Sequence, residues 1–343
     1  MSSWERFVDW FRGIAEPESP SGVADPHTLC RRVLVINFDP SRKTKSRQRL
    51  SSKMKEYWKD KGVGVQDVDD LIDGFIADVH DCSGGLVHYE VVQSILVDFW
   101  PLKKDGYCYT WDRFVEHLKP DTGWHDPDRI DYDLVVRDFG ILERVEADQI
   151  DEVWLFGSSY AGFLESIMGG PRALSCNSGG KTIHSPGVSR RFIIMGFNWE
   201  RGVGQMLESL GHRFEDCLKE TWRHHHGDEN LWERFTRCDL DFHGGANVGT
   251  MHFAPNSLVD YDWGVETVVE SNCQDWLSFP SFEATTSLVN CSQWGCTPGG
   301  RGGEENARAH HKWWFTHLPK VQGKTLGIAN NWWLYGIDPN AIP

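Results

Sequence analysis

The chain has 343 residues, with 35 Lys and Arg against 50 Asp and Glu and a formal net charge of -15. That balance, with no basic stripe, argues against a nucleic-acid backbone as partner. No apolar run approaches the length that spans a bilayer, and the composition is that of a globular protein with room for one large or two ordinary domains.

Residues 1–26 open with MSSWERFVDWFRGI. Acidic residues interrupt its apolar run, so it does not read as a signal peptide. Trp4, Phe7, Phe11 and Ile14 fall on one side of a helix. Glu5 and Asp9 on the polar side favour docking on the chain's own body, or on a second subunit to form an oligomer, over membrane binding. A linker rich in Pro, Ser and Gly follows from residue 17 to 26.

Residues 27–343 read as a single α/β domain, a mainly parallel sheet with flanking helices. RRVLVINFDP, residues 31–40, is a buried strand ending in Asp39. The polar stretch 41–61 reads as a surface excursion or flap. Leu71, Ile72, Phe75, Ile76 and Val79 carry helical spacing over residues 68–79. Residues 86–101 predict one long strand or two, 107–118 a helix, 120–133 a loop, and 132–139 a strand or short helix. DEVWLFGS, residues 151–158, is a second buried strand, followed by a helix over 161–168 and a loop over 175–187. FIIM, residues 192–195, opens a third buried strand with Asn198, Trp199 and Glu200 at its polar end. Val203, Met206, Leu207 and Leu210 then start a helix that Gly211 either caps or allows to continue. Residues 231–241 read as a helix and connector. From Phe242 periodicity weakens while Gly, Asn, Trp and His become frequent, so 242–343 reads as a Trp-rich, loop-rich subdomain covering the strand ends.

In open α/β sheets ligands bind at the carboxyl ends of the strands. A parallel sheet would bring Asp39, the turn at Ser158, Ser159 and Tyr160, and Glu200 to one rim. Glu200 is there an acid/base candidate, or it merely complements the dipole of the following helix. FGSSYAG has the pattern of a nucleophile elbow, with Ala161 in place of the last glycine and Ser159 as nucleophile. Asp241 or Asp262 with His252 or His311 would complete a triad in the right chain order. No HGGG-type oxyanion loop precedes it, and the alternative is a plain Gly/Ser turn. Glu165, among apolar neighbours in the expected helix, is either solvent-facing or buried and raised in pKa.

SCNSGGKT, residues 175–182, lacks the first glycine of a phosphate-binding loop and a following helix, so no nucleotide cofactor is expected. Glu208 and His212 stand one turn apart, as a metal-ligating pair does. They lie opposite the apolar face and read as solvent-exposed. The run His224, His225, His226 reads as a solvated loop. GTMHFAPNSLVDYDWG, residues 249–264, gathers His252, Asn256, Asp260 and Asp262 among rigid aromatic and proline residues. His252 with Glu200 and Asp39 would form a mixed N/O set suited to zinc or a similar divalent metal. The alternative is a buried histidine satisfied by backbone. AHHKWWFTHLP and NNWWLYG would wall an aromatic pocket or close the core. The nine cysteines are scattered, with Cys291 and Cys296 closest. They read as small buried apolar residues in a reducing cytoplasm.

The segments EVWLFGSSYAGFLES, FIIMGFNWERGVGQMLESLGHR, HFAPNS and NNWW resemble a group of uncharacterised bacterial and fungal proteins. The resemblance covers most of the chain after Arg31. It implies that the core and the C-terminal half form one unit, and it implies no activity.

The expectation is therefore a cytoplasmic enzyme, a hydrolase or lyase, acting on a small or medium organic molecule. Glu200, Glu165 and His252 would serve as acid, base or metal ligand, and Asp39 would orient or ligate. Asn198, Asn256, Tyr160 and Trp199 would contact the substrate. A serine hydrolase using Ser159, and a glycan-binding or scaffold protein exploiting the tryptophans, are the alternatives.

Overall fold

The computed structural model describes residues 28–43, 47–59, 64–118, 121–299 and 303–343; the expected N-terminal helix lies outside them. The chain forms two compact units. The first takes the chain up to residue 68 and then residues 89–200; the second takes 69–88 and 201–343. The division thus falls at Glu200, not at the compositional change at Phe242.

The elements follow in chain order: β1 (Leu29–Phe38), α1 (Leu50–Lys59), α2 (Val68–Ser83), β2 (Val87–Val97), α3 (Trp111–Leu118), α4 (Tyr132–Asp138), α5 (Ile141–Glu146), β3 (Glu152–Gly157), β4 (Ser166–Gly169) and β5 (Phe192–Asn198). The five strands make one sheet in the order β2-β1-β3-β5-β4. β1 pairs β3 and β3 pairs β5, both parallel. The Asp39 N–H donates to the Val97 carbonyl at 3.0 Å, so β1 and β2 run out together. Val33–Ile36, Val153–Phe156 and Phe192–Met195 are all buried. This is why they read as unbroken apolar runs, since a parallel sheet is covered on both faces. The structure is thus α/β, as the sequence predicts.

Two local expectations fail. Residues 161–168 are not helical: Tyr160 and Gly162 take left-handed backbone (φ +61° and +92°), and Ser166–Gly169 pairs antiparallel with β5. A run of a few apolar residues fits a buried strand and a helix segment equally by periodicity, and here the edge of β5 decides. Within the polar stretch 41–61, α1 forms because Leu50 and Met54 can bury one face.

The second unit continues with α6 (Val203–Thr221), α7 (Leu231–Phe235), β6 (Val269–Ser271), β7 (Ser287–Val289), α8 (Glu304–Thr316), β8 (Lys320–Thr325), β9 (Ile328–Asn331) and α9 (Trp333–Ile337). α6 runs through Gly211 without a cap. A Cβ there would lie 1.9 Å from Met251 Sδ, so the glycine admits the 251 segment against the helix. α6 packs on α8, and Asp78 of α2 holds Arg308 and Lys312 of α8 at 2.6 and 2.5 Å. Trp222, Trp232, Trp276, Trp314 and Trp332 interlock around Phe235 and are themselves buried. These aromatics build the core rather than stacking platforms. Cys291 and Cys296 close a disulfide, contrary to the expectation of scattered thiols. Among the described residues no helix is long and apolar enough to cross a membrane.

His310, His311 and His317 are buried on or just after α8. Burial pushes all three imidazoles down: His311 and His317 to about 4, and His310, also beside the other two rings, well below the ordinary value. The unfolded chain binds protons at these residues between pH 6.5 and 4 while the folded chain does not. Their contribution is therefore present above about pH 6.5 and lost as pH falls towards 4. The expected outcome is a Tm that drops across that window, as the unfolding free energy falls by at most about 1 kcal/mol per pH unit for each histidine. In His317→Gln the slope should shrink; a melting profile flat from pH 6.5 to 4.5 would refute the assignment.

Candidate metal centre

α6 sets out the site. Its core face carries Val203, Met206, Leu207, Leu210, Phe214 and Leu218, all buried. The opposite face carries Glu208, His212, Glu215 and Lys219 at one-turn spacing. That second face is not bare: the segment Thr250, His252 and Phe253 closes over it, and Glu208 is only 7% exposed. The expectation of a solvated Glu208 and His212 is corrected by this loop. Period shows which residues face away from the core, but not what covers them.

The loop is held by its own polar groups. The Met251 N–H donates to Glu215 Oε1 at 2.9 Å, and Trp263 Nε1 donates to the Met251 carbonyl at 3.0 Å. Asn256 is buried and donates to the carbonyls of Val265 and Thr267 at 2.8 and 2.7 Å. The Asn256 amide nitrogen, expected to meet a substrate, is engaged here in shaping the loop.

Three ligand-type atoms converge. His212 Nε2 lies 3.0 Å from His252 Nε2, and Glu208 Oε1 lies 3.3 Å from His252 Nε2 and 3.9 Å from His212 Nε2. The other ring nitrogens are held outward: His212 Nδ1 on Glu215 Oε2 at 2.7 Å, His252 Nδ1 on Asp260 Oδ1 at 2.9 Å. An ionised carboxylate only accepts, so in the neutral form of each ring Nδ1 carries the proton and Nε2 is left with the lone pair that a metal takes. Burial works to raise the Glu208 carboxyl, but hydrogen bonds from the His212 and His252 rings, made when their Nε2 atoms carry protons in place of a metal, outweigh it and hold the group far below the usual carboxylate range. With both Nε2 atoms unprotonated, two lone pairs and a carboxylate oxygen at these distances repel unless a cation, a proton or a metal ion, lies among them. Ligands about 2.0–2.1 Å from a tetrahedral ion stand roughly 3.3 Å apart, close to the observed separations. Glu208, His212 and His252 can therefore hold a metal ion. The outward carboxylates are the partners that orient ligating histidines in metal sites.

The two imidazoles open onto a cleft of about 460 Å³, lined by the apolar Trp232 and Phe253 and by Thr236, Thr250 and Lys219; the Thr236 hydroxyl donates to the Glu233 carbonyl at 3.2 Å. Below the site His311 sits between two carbonyls, Nδ1 3.1 Å from Gly204 O and Nε2 3.3 Å from Met251 O, linking α6 to the loop.

The remaining expected residues lie in the first unit. Ser159 donates from its N–H to both Glu200 oxygens (3.2 and 3.1 Å) and from Oγ to Oε1 (3.3 Å), so the strand-end rim does bring Ser159 and Glu200 together. Burial pushes the Glu200 carboxyl up against these hydrogen bonds. The partner of Ser159 is thus a carboxylate, and β4 replaces the helix a nucleophile elbow needs. Asp39 is spent on Ser51, accepting from its N–H at 2.9 Å and its hydroxyl at 2.7 Å. Burial raises the Asp39 carboxyl and the Ser51 bonds oppose the rise. Trp199 is buried and donates Nε1 to Asn37 Oδ1 at 3.1 Å. Asn198 ends β5, in register with Gly157. The Tyr160 hydroxyl donates to Asp121, its ring stacked on Trp124. Glu165 is not on a helix; it accepts from Asn177 Nδ2 at 2.6 Å. The expected set Asp39, Glu200 and His252 is therefore corrected to Glu208, His212 and His252, because Asp39 and Glu200 are engaged locally. The signal for two of the three was legible in E-x-x-x-H on α6.

No protein-family model and no curated protein matches the chain.

Asp260→Asn releases His252 Nδ1 from its carboxylate. Loss of such an outer partner costs about 10–100-fold in metal affinity. Competition against a chromophoric zinc chelator should show a weakening of that size. Unchanged affinity would mean that Asp260 does not orient the ring.

Proposed function

We propose that the protein is a metal-dependent enzyme, a hydrolase acting on a small or medium organic molecule in the cleft beside His212 and His252. One observation carries the reading: two imidazole Nε2 atoms and a buried carboxylate meet at one point, with each imidazole locked from behind by a second carboxylate. Two histidines and one glutamate with an open position form a catalytic zinc donor set, whereas structural zinc sites are closed by four protein ligands. A divalent ion held there would bring the pKa of a bound water towards about 7 and polarise a substrate carbonyl. The protein's part is to fix the donor atoms, keep Glu208 ionised, and offer the aromatic wall of Trp232 and Phe253 to the substrate's apolar portion. The Thr250 hydroxyl, which accepts the Phe253 N–H, has its own proton to offer from the side of the same cleft.

The test is elemental analysis of tag-free protein purified without chelator. The expected result is one zinc or similar ion per chain, lost in His252→Ala and in Glu208→Gln with the circular dichroism spectrum unchanged. The His224 to His226 run is a second source of weak metal uptake, so an Ala variant of that run must retain the ion. Metal that disappears with the run and survives His252→Ala would overturn the reading.

A further inference from the structure

A second cleft, of about 300 Å³, lies wholly in the first unit. Its cations come from three separate segments: Lys104 after β2, Arg129 before α4, and Lys181 in the loop after β4. Main-chain bonds hold all three segments in place. Lys104 N–H donates to the Arg129 carbonyl at 2.9 Å, Asp131 N–H to Leu102 O at 2.9 Å, and Ile130 N–H to Gly162 O at 2.9 Å. On the third side, Ile183 N–H donates to Met168 O at 2.9 Å. The Ser178 hydroxyl accepts the Lys181 N–H at 3.2 Å and donates to the Lys181 carbonyl, closing the loop on itself. Beneath, Lys103 is buried against Asp128 and the carbonyls of Tyr160 and Ala161. This pairing uses up Asp128 and ties the Arg129 segment to the turn after β3.

The charge inside the cleft is unbalanced. Lys104, Arg129 and Lys181 face one carboxylate, Asp133, which sits 3.6 Å from Lys104. His184 and Thr182 add polar groups at the rim. The nearby Asp131 is occupied as the cap of α4, accepting from Leu134 N–H. Three cations brought to one concavity by fixed backbone segments give it a positive potential that attracts an anion, although Lys104 and Lys181 are themselves exposed. In a chain of net charge -15 such a positive concavity stands out. The floor is different in character: Ile130, Leu164, Ile167 and Ile183 are aliphatic. Apolar walls with a few converging polar groups are how small-molecule sites are built, and the volume is at the lower end of their range of about 300–1,000 Å³.

We propose that this cleft binds a small organic anion, a carboxylate on a compact apolar body, with Arg129 and Lys181 on the carboxylate and the isoleucines and Leu164 under the body. The site is independent of the metal centre and of any activity there. It also gives Lys181 and Thr182 of SCNSGGKT a role other than a nucleotide loop.

The test is isothermal titration calorimetry at low ionic strength on chelator-dialysed protein, with benzoate as probe and benzyl alcohol as its uncharged counterpart. Wild type should bind benzoate saturably and benzyl alcohol about tenfold more weakly or worse, the loss of a charge-assisted hydrogen bond. Arg129→Gln and Lys181→Gln should each weaken benzoate by about tenfold. Asp133→Asn, which removes the competing carboxylate, should tighten it, a gain that a misfolded variant cannot produce. Glu208→Gln should leave it unchanged. Equal binding of the two probes, indifference to Arg129→Gln and Lys181→Gln, no tightening in Asp133→Asn, or loss in Glu208→Gln would each overturn the proposal.

Discussion

The constraint on which the second unit turns is the meeting of three electron-rich atoms, Glu208 Oε1, His212 Nε2 and His252 Nε2, at separations of 3.0 to 3.9 Å. Such a meeting is costly unless a proton or a metal ion lies among the three atoms, and several features of the unit impose it. Gly211 lets the Met251 segment touch α6 where any side chain would hold it off. Glu215 bridges both parts, taking the His212 ring on one oxygen and the Met251 N–H on the other. Trp263 fixes the Met251 carbonyl, and Trp294 donates in turn to the Trp263 carbonyl at 2.8 Å. The aromatic core and the polar site are thus one arrangement, in which rigid indoles set the loop and the loop sets His252. Preorganisation of this kind places the cost of gathering the ligands in folding rather than in binding.

The first unit works by a different principle. Its parallel strands bury both faces, so all polarity is pushed to the strand ends and the connecting loops. At the ends of β3 and β5 the Ser159 N–H and hydroxyl settle on the Glu200 carboxyl. On the other side of the turn after β3, buried Lys103 accepts the burden of organising the backbone, donating to two carbonyls of the turn itself. A buried lysine is tolerable only when paired and fully hydrogen-bonded, and Asp128 with the two carbonyls provides that. The same anchoring leaves Lys104, next to Lys103, and Arg129, next to Asp128, on backbone joined by the Lys104 N–H to Arg129 carbonyl bond.

Glycines at close approaches and polar side chains turned onto backbone recur in both units. Asn256, Asn306 and Ser257 close loops by hydrogen bonds to carbonyls and N–H groups within their own region. This explains how a C-terminal region with weak periodicity is nonetheless well packed: its order comes from side-chain-to-backbone bonds and interlocked rings, not from long regular elements. Such order carries little periodic signal in one dimension, and only α8 among its elements is longer than two turns.

The buried strands β1, β3 and β5, the helices α2 and α6, and the α/β class were legible in the sequence, because continuous apolar runs and helical spacing report burial directly. The rim contact between Ser159 and Glu200 followed from the same pattern, since parallel strands must end together. Strand β4 was not legible, because SIMG is too short for its period to separate strand from helix, and the edge of β5 made the choice. The candidate metal set was half legible: E-x-x-x-H placed Glu208 and His212 on one helix face, and the aromatic and proline residues of GTMHFAPNSLVDYDWG marked His252 as a rigidly held histidine. That these belong together, and that Glu208 is buried rather than solvated, was decided by tertiary structure alone. Spacing along a helix fixes the direction a side chain takes relative to the core, while the loop that meets it arrives from forty residues away and leaves no periodic trace.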